Sequence, residues 1–144
     1  MKISTKGRYA LRLMLDLATY NTGEPVSLKD VSKRQDVSEK YLEQIISILN
    51  RAGLVRSSRG SKGGYTLKGN PEDITVGTIL RATEGDLAPV ACVNAETEDC
   101  ERANRCVTMR VYKELNDAIN GVVDSITLAT LLEWQDEKLG AYSI

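Results

Sequence analysis

The segment from Ser27 to Gly53 reads SLKDVSKRQDVSEKYLEQIISILNRAG, and it predicts two helices joined by a short turn. Ser27 stands three residues before Asp30, a pair that resembles a capping box, and a short apolar face follows it. Ser38 is the expected cap of the second helix, whose apolar residues recur at helical spacing until Gly53. Only residues 35–37 separate the two helices, which is the spacing of a helix-turn-helix.

The residues on either side of this segment extend it to a winged helix. Upstream, apolar residues at helical spacing between Tyr9 and Tyr20 predict a first core helix. Downstream, residues 54–58 and 65–67 have the composition of strands, and the basic, glycine-rich stretch RGSKGG at 59–64 forms a tight loop between them. Helices followed by a basic hairpin are typical of a winged helix. The alternative is a three-helix domain whose hairpin has no part in DNA binding.

The second half of the chain predicts further helices around a loop that contains Cys92 and Cys100, with Cys106 at the start of the helix that follows. Thr75 is the expected cap of a short helix over 75–85, and residues 86–104 show little periodicity. Over 105–123, apolar residues again fall at steps of three and four, so we expect a helix of about five turns with a continuous apolar stripe. A last helix is expected over 127–134, followed by a polar tail.

These elements predict a mainly α fold with a small β-hairpin. Residues 1–85 would form a winged helix-turn-helix DNA-binding domain, residues 86–104 a cysteine-containing sensor loop, and residues 105–144 a long dimerisation helix and a C-terminal helix. Too little chain remains to cover the stripe of the long helix, so we expect it to pair with a second copy. A two-fold dimer would place two recognition helices about 34 Å apart. The alternative is packing within the chain against the first helix.

Charge divides the 144-residue chain in two, although its formal net charge is only −1. Residues 1–68 carry 13 Lys and Arg against 6 Asp and Glu, a net of +7, and the other 76 residues carry 6 against 14, a net of −8. The basic half suits nucleic acid. The chain has no His, which removes Ser/His and Cys/His catalysis, so we do not expect an enzyme. It also has no unbroken apolar stretch typical of a signal peptide or membrane span, and we expect a cytoplasmic protein without a membrane partner.

The exposed side of the recognition helix and the loop of the hairpin carry the candidate DNA contacts. These are Ser38, Lys40, Tyr41, Glu43, Gln44, Arg59, Gly60 and Lys62. Gln44 suits an adenine edge, Lys40 suits a phosphate, and Arg59 suits a narrow minor groove. Glu43 would be repelled by phosphate unless it accepts from a cytosine amino group. The alternative for the helix residues is an ordinary solvated face.

Cys92, Cys100 and Cys106 are separated by seven and five residues, close enough in sequence to converge on one metal ion or cluster. An odd number of thiols favours metal ligation or thiol reactivity over a disulfide framework, and thiolates favour zinc or an iron-sulfur cluster. Three thiolates leave one ligand position open, which a carboxylate, hydroxyl, Met, backbone or exogenous group must fill. The alternatives are a redox disulfide between Cys100 and Cys106, and inert buried thiols.

Five short motifs resemble those of a known family. They are KGRYA at 6–10, YLEQ at 41–44, GLV at 53–55, RG at 59–60 and GGY at 63–65. Together they resemble the Rrf-two family of bacterial winged-helix transcription factors, which includes the IscR, NsrR and CymR types, and the likeness covers essentially the whole chain. The cysteine trio is similar to that of the IscR-like branch. That branch binds an iron-sulfur cluster, commonly 2Fe-2S, and controls cluster-assembly genes.

The resemblance implies roles for particular residues and also shows two departures. It implies that Glu43 lies among the DNA contacts and helps make target choice depend on the cluster. The IscR-like pattern has five residues in the first cysteine gap and a His where this chain has Met109. The position of an Asp ligand in the NsrR type is occupied here by Arg8. The candidates for the fourth ligand are Glu43, Glu96, Glu98, Asp99, Glu101 and Met109.

The sequence therefore predicts a homodimeric transcriptional regulator that binds double-stranded operator DNA. It would sense iron-sulfur cluster status and control cluster biogenesis genes, with cluster assembly proteins as donors. One alternative is a regulator of the same family that holds no cluster, or that senses nitric oxide or thiol oxidation. The other is a small thiol redox enzyme using Cys100 or Cys106, although neither has a His to activate it.

Overall fold

The computed structural model describes residues 2–94 and 100–142, with side chains described to residue 140. In chain order the elements are α1 (Thr5–Thr19), α2 (Leu28–Gln35), α3 (Glu39–Arg51), β1 (Val55–Ser58), β2 (Gly64–Leu67), α4 (Val76–Glu84), α5 (Met109–Ser125) and α6 (Leu128–Tyr142). Short 3-10 turns lie at Pro71–Asp73 and Ala91–Val93. The predicted mainly α fold with a small hairpin is confirmed.

Hydroxyl caps define where the helices of the first half begin. The Ser27 hydroxyl accepts a hydrogen bond from the Asp30 backbone N–H at 3.2 Å, and the Ser38 hydroxyl accepts one from the Tyr41 N–H at 3.1 Å. Each bond satisfies an N–H that has no partner within its own helix. Between these helices, Asp36 adopts φ +53° and ends α2. The turn of the helix-turn-helix is therefore built as the sequence predicts.

The hairpin is attached to the segment that leads into α2. Strands β1 and β2 pair antiparallel, from Val55 opposite Leu67 to Ser58 opposite Gly64. Val26 and Tyr65 exchange backbone hydrogen bonds of 2.9 and 2.8 Å, which adds a short third edge to this sheet. A Cβ at Gly64 would collide with the Val26 carbonyl, so this close approach requires glycine.

One core joins the helix-turn-helix to the C-terminal helix. Its most deeply buried side chains, all at most 1% exposed, are Ala10, Leu13, Met14, Leu17, Val31, Leu42, Ile45, Leu49, Ile79 and Leu128. Leu128 brings α6 into contact with this core. The chain is also tied there through backbone bonds, because the Leu128 N–H donates to the Ile74 carbonyl and the Val76 N–H donates to the Ile126 carbonyl.

Three helix boundaries differ from those expected. Helix α1 begins at Thr5 rather than Tyr9, because the Ser4 hydroxyl caps it through the Gly7 N–H. Helix α5 begins at Met109 rather than Arg105. Residues 100–108 form turns instead, and the Thr108 hydroxyl bonds the Cys106 thiol at 3.2 Å rather than capping the helix. The polar tail after residue 134 continues α6 to Tyr142.

Helix α5 has one apolar face against the chain and one in solvent. Met109 and Val123 are buried, and Val123 packs in a small cluster with Val76 and Leu80 of α4. The other apolar face consists of Val111, Leu115, Ala118 and Val122 with Val107 just ahead of the helix, and we call these five residues the α5 stripe. Within it the exposed fractions are 53% for Val111, 47% for Leu115 and 57% for Val122.

None of the helices in the described ranges is both long enough and apolar enough to cross a membrane.

Candidate nucleic-acid interface and cysteine loop

Helix α3 buries one face and presents a polar face to solvent. Leu42, Ile45, Ile46 and Leu49 are at most 2% exposed and hold the helix on the core. Of the predicted DNA contacts on this helix, Ser38, Lys40, Glu43 and Gln44 are exposed, and Tyr41 is half-buried. The polar face therefore offers a carboxylate, an amide, an ammonium and a hydroxyl that are accessible to a base edge or phosphate.

The loop between β1 and β2 presents two exposed cations. Arg59, Gly60 and Lys62 are all exposed, and the loop closes on itself through a 3.0 Å bond from the Gly63 N–H to the Gly60 carbonyl. Gly60 has φ +107°, a conformation that side chains other than glycine rarely adopt. The loop is thus a defined turn at the end of the anchored hairpin, with Arg59 at its start.

A buried acid lies behind the helix-turn-helix, and it is not among the features predicted from the sequence. Asp16 of α1 is 3% exposed, and its carboxylate accepts bonds of 3.0 and 2.7 Å from the Arg34 guanidinium and one of 3.0 Å from the Gln35 amide. The hydrogen bond to Asp16 raises the pKa of Arg34, and the Tyr20 ring lies 3.9 Å from the guanidinium carbon. The signal was present, because Asp16 shares the buried face of α1 with Leu13 and Leu17.

The three cysteines are free thiols within the segment that joins α4 to α5. Cys92 lies in the 3-10 turn Ala91–Val93, which contacts α5, and both Cys92 and Cys100 are exposed. Cys106 is half-buried just ahead of α5. The hydroxyl of Thr108 is the main cause that lowers the pKa of Cys106, and the Met109 N–H acts in the same direction.

The donor chemistry suits a soft metal or an iron-sulfur cluster, but the thiols do not form an assembled site. Within residues 2–94 and 100–142, no group of three Cys, Asp or Glu side chains is close enough to hold one metal ion. Of the candidate fourth ligands, Glu43 and Glu101 are exposed and Met109 is 9% exposed. Glu96, Glu98 and Asp99 lie outside the described residues.

An ion pair joins α4 to α5 beside this loop. Arg81 donates to the Asp124 carboxylate at 2.6 and 3.0 Å and to the Asn120 side-chain oxygen at 2.8 Å. The hydrogen bond from Arg81 lowers the pKa of Asp124, although its side chain is 47% exposed. Gly77 leaves room for this contact, since a Cβ there would meet both partners.

A capped helix-turn-helix, a glycine-dependent hairpin and an exposed polar face on the second helix define the class of winged-helix regulators. The chain belongs to the Rrf2 family, described as iron-dependent transcriptional regulators, whose model matches residues 3–134. It is accordingly a transcriptional regulator of a DNA-binding family rather than an enzyme.

The relatives include regulators of two types. The chain is 44% identical to the HTH-type transcriptional regulator CymR of Bacillus subtilis over 142 residues, which are 99% of this chain and 97% of that protein. It is 41% identical to IscR of Vibrio atlanticus over 133 residues, 92% of this chain and 76% of that protein.

Solved structures of both types of regulator, CymR and IscR, also match the chain. The structure of the B. subtilis global cysteine regulator CymR matches with a TM-score of 0.75, at 44% identity over 93% of this chain and 98% of that one. The structure of T. potens IscR matches with a TM-score of 0.77, at 43% identity over 96% and 90%. These matches confirm the winged-helix prediction.

Proposed function

We propose that this regulator reads operator DNA as a homodimer, through the exposed face of α3 and the loop between β1 and β2. The proposed contacts are Ser38, Lys40, Tyr41, Glu43, Gln44, Arg59, Gly60 and Lys62. Their exposure and the net charge of +7 over residues 1–68 support this role. In this proposal residues 1–85 form the DNA-binding domain, 86–104 the sensor loop and 105–144 the dimerisation region.

The α5 stripe supports the dimer. A row of apolar side chains about half in solvent on a well-formed helix is unfavourable in a lone copy, because each exposed methylene that becomes buried stabilises the assembly by about 0.8 kcal/mol. A two-fold contact brings the same stripe of a second copy against it, which is the common geometry of homodimers.

We further propose that Cys92, Cys100 and Cys106 hold a 2Fe-2S cluster and that the regulator controls iron-sulfur cluster biogenesis genes. The observation that carries this proposal is the set of three free thiols within the one segment between α4 and α5, whose 3-10 turn contacts α5. Thiolates are the usual ligands of such clusters, which supply oxidant-sensitive redox chemistry when bound. The fourth ligand is unassigned, and Met109, which is 9% exposed, would have to become more accessible to serve.

Gathering the thiols would couple the loop to the DNA-binding half. Cys106 lies three residues before Met109, the first residue of α5, and Arg81 bonds α5 to α4 through Asp124 and Asn120. Bringing Cys92 and Cys100 to Cys106 therefore acts on the segment that connects the two halves. Such a rearrangement regulates DNA binding only if the two arrangements differ in affinity for the operator.

Anaerobic reconstitution followed by iron and sulfide analysis tests the cluster. We expect coloured wild-type protein with on the order of two irons per chain, and colourless protein after Cys92→Ala. Ser125→Ala, a hydroxyl substitution at the far end of α5, is the control and should keep the colour. Colourless, iron-free wild-type protein would overturn the cluster and leave the DNA-binding proposal standing.

A second candidate is a regulator without a cluster that responds to thiol oxidation. The lowered pKa of Cys106 favours it, because the thiolate is the reactive form. A relative, CymR of Staphylococcus aureus, has a structure in an oxidized form, at 39% identity. Treating iron-free protein with peroxide and measuring operator affinity separates the two candidates. Only the thiol sensor should respond, and Cys106→Ser should abolish that response.

A further inference from the structure

A connected set of side chains runs from the buried Asp16 toward the recognition helix α3. Asp16 holds the Arg34 guanidinium and the Gln35 amide by the three hydrogen bonds described above. Gln35 is the last residue of α2, so its backbone carbonyl has no partner within that helix. The residue that bonds this carbonyl consequently fixes the end of α2 at the turn.

Arg12 of α1 makes that bond. Its Nη2 donates to the Gln35 carbonyl, and its Nε donates to the Gln35 side-chain oxygen at 3.1 Å. The planar guanidinium is thus held at two points on one residue, a geometry that a lysine ammonium does not reproduce. Arg12 is tethered to the turn between the two helices of the helix-turn-helix.

The same guanidinium lies over the ring of Tyr9, one turn earlier on α1. The Arg12 guanidinium carbon is 5.0 Å from the centroid of the Tyr9 ring, within the range of a cation-π contact. Tyr9 in turn meets Tyr41 edge to face, with centroids 5.8 Å apart and planes at 85°. Tyr41 lies in the first turn of α3, among the proposed DNA contacts.

We propose that Tyr9 and Arg12 are positioning residues that hold Tyr41 in the orientation in which it contacts operator DNA. The inference rests on the proposed function, since it requires α3 to read the operator. A ring fixed before binding loses less conformational freedom when the complex forms. Sequence discrimination by α3 would accordingly depend on two residues of α1.

A competing role for Arg12 is a direct phosphate contact, and salt dependence separates the two. Removing one phosphate contact lowers the slope of log affinity against log salt by about 0.9. A positioning residue instead changes the preference between operator and altered duplex and leaves that slope unchanged. Arg12→Lys is informative because it keeps the charge and loses the two-point hold on Gln35.

The experiment uses the full chain and an operator selected from random duplexes by the wild-type protein. We expect Arg12→Lys and Tyr9→Leu each to reduce the preference for operator over a base-substituted duplex by roughly five- to tenfold, part of what a mismatched base pair costs. Tyr9→Phe keeps the ring and should retain the preference. Arg8→Lys, a neighbouring exposed arginine of α1, is the matched control and should behave as wild type.

A double-mutant cycle shows whether the effect passes through Tyr41. In a Tyr41→Ala background, Arg12→Lys should cause no further loss of preference, because the residue it positions is gone. Equal losses in both backgrounds would overturn the inference, and so would an Arg12→Gln protein whose salt slope falls while its preference for the operator is unchanged. Non-specific duplex binding and thermal unfolding identify any variant that fails to fold. If Tyr9→Leu does not fold, Arg12→Lys at the exposed position on the same helix face still tests the inference.

The inference and the proposed function fail in different ways. If Tyr41→Ala leaves operator preference intact, then Tyr41 is not a reading residue and the proposed DNA contacts are wrong at this position. If Tyr41→Ala loses the preference while Tyr9→Leu and Arg12→Lys match wild type, only the positioning role is wrong.

Discussion

Apolar side chains are buried differently in residues 1–85, taken here as the first half of the chain, and in residues 86–142, the second half. Around α1 and α3, most of the large aliphatic residues are almost fully buried, and the buried acid Asp16 accepts three hydrogen bonds. On α5 the stripe remains about half exposed and the neighbouring cysteines are free. The first half is therefore complete as a single copy, whereas we expect the second to be completed by another chain and by a ligand of the thiols.

Contacts between the two halves show how one half can influence the other. Leu128 of α6 is fully buried in the core of the first half, and Arg81 of α4 is bonded to α5. A change at the N-terminal end of α5 thus has two physical routes to the DNA-binding surface, one through the ion pair and one through the connection from α5 to α6.

The largest expected effect tests whether α5 is completed by a second copy. The double substitution Val111→Asp and Leu115→Asp would bury unpaired charges in a dimer, so we expect dissociation to be favoured by on the order of 5 kcal/mol, more than a thousandfold. Sedimentation of the purified protein measures it. Lys113→Asp, on the polar face of the same helix, is the control and should stay dimeric. A wild-type chain that sediments as a monomer would refute the contrast between the halves.

The sequence predicts a feature of either half well when that feature depends only on residues close together in the chain. The caps Ser27, Ser38 and Thr75 act within their own first turns, so their residue types are sufficient to predict them. Residue types alone do not reveal that Asp16 is paired with Arg34, because that contact depends on how α2 packs on α1.

The start of α5 illustrates the same limit. Its apolar periodicity extends back to Val107, but the helix begins only at Met109, since Thr108 bonds the Cys106 thiol instead of capping the helix. Whether the three cysteines converge is harder to predict from the sequence. The binding of a metal or cluster can supply the free energy that brings the thiols together. The exposed face of α3, in contrast, follows directly from its helical periodicity.

The next prediction concerns the stability that the buried Asp16 network gives to the first half. Asp16→Ala removes the acceptor from Arg34 and Gln35, and we expect a loss of about 2 kcal/mol in the free energy of unfolding. This is less than for a fully buried ion pair, because the Arg34 side chain is 31% exposed. Urea denaturation measures the loss. Asp30→Ala, an exposed acid in the first turn of α2, is the matched control and should cost less. Equal costs would mean that the buried network contributes little.

A smaller effect is expected on the DNA-binding surface itself. Arg59→Ala should weaken operator binding by about 1 to 3 kcal/mol without changing stability, because the side chain is exposed and lies in the hairpin loop. Fluorescence anisotropy with a labelled duplex measures the affinity. Lys68→Ala removes an exposed cation just beyond β2 and serves as the comparison. Unchanged affinity for Arg59→Ala would remove the loop from the proposed interface.

The smallest expected effect lies where the halves meet. In the folded chain the pKa of Asp124 is lowered by Arg81, so the ion pair stabilises the fold above the unfolded pKa of about 3.9 and this contribution is lost as the pH falls through the folded value. Since Asp124 is 47% exposed, we expect Asp124→Asn to cost less than about 1 kcal/mol near pH 7.

The same substitution should cost nothing once the pH is low enough to protonate the wild-type carboxylate. Urea unfolding of both proteins over this range gives the difference, and Asp117→Asn on the exposed side of α5 corrects for the loss of one negative charge. A cost near zero at every pH would mean that Asn replaces the carboxylate as a partner of Arg81. The link between the halves would then depend on hydrogen bonding rather than on charge.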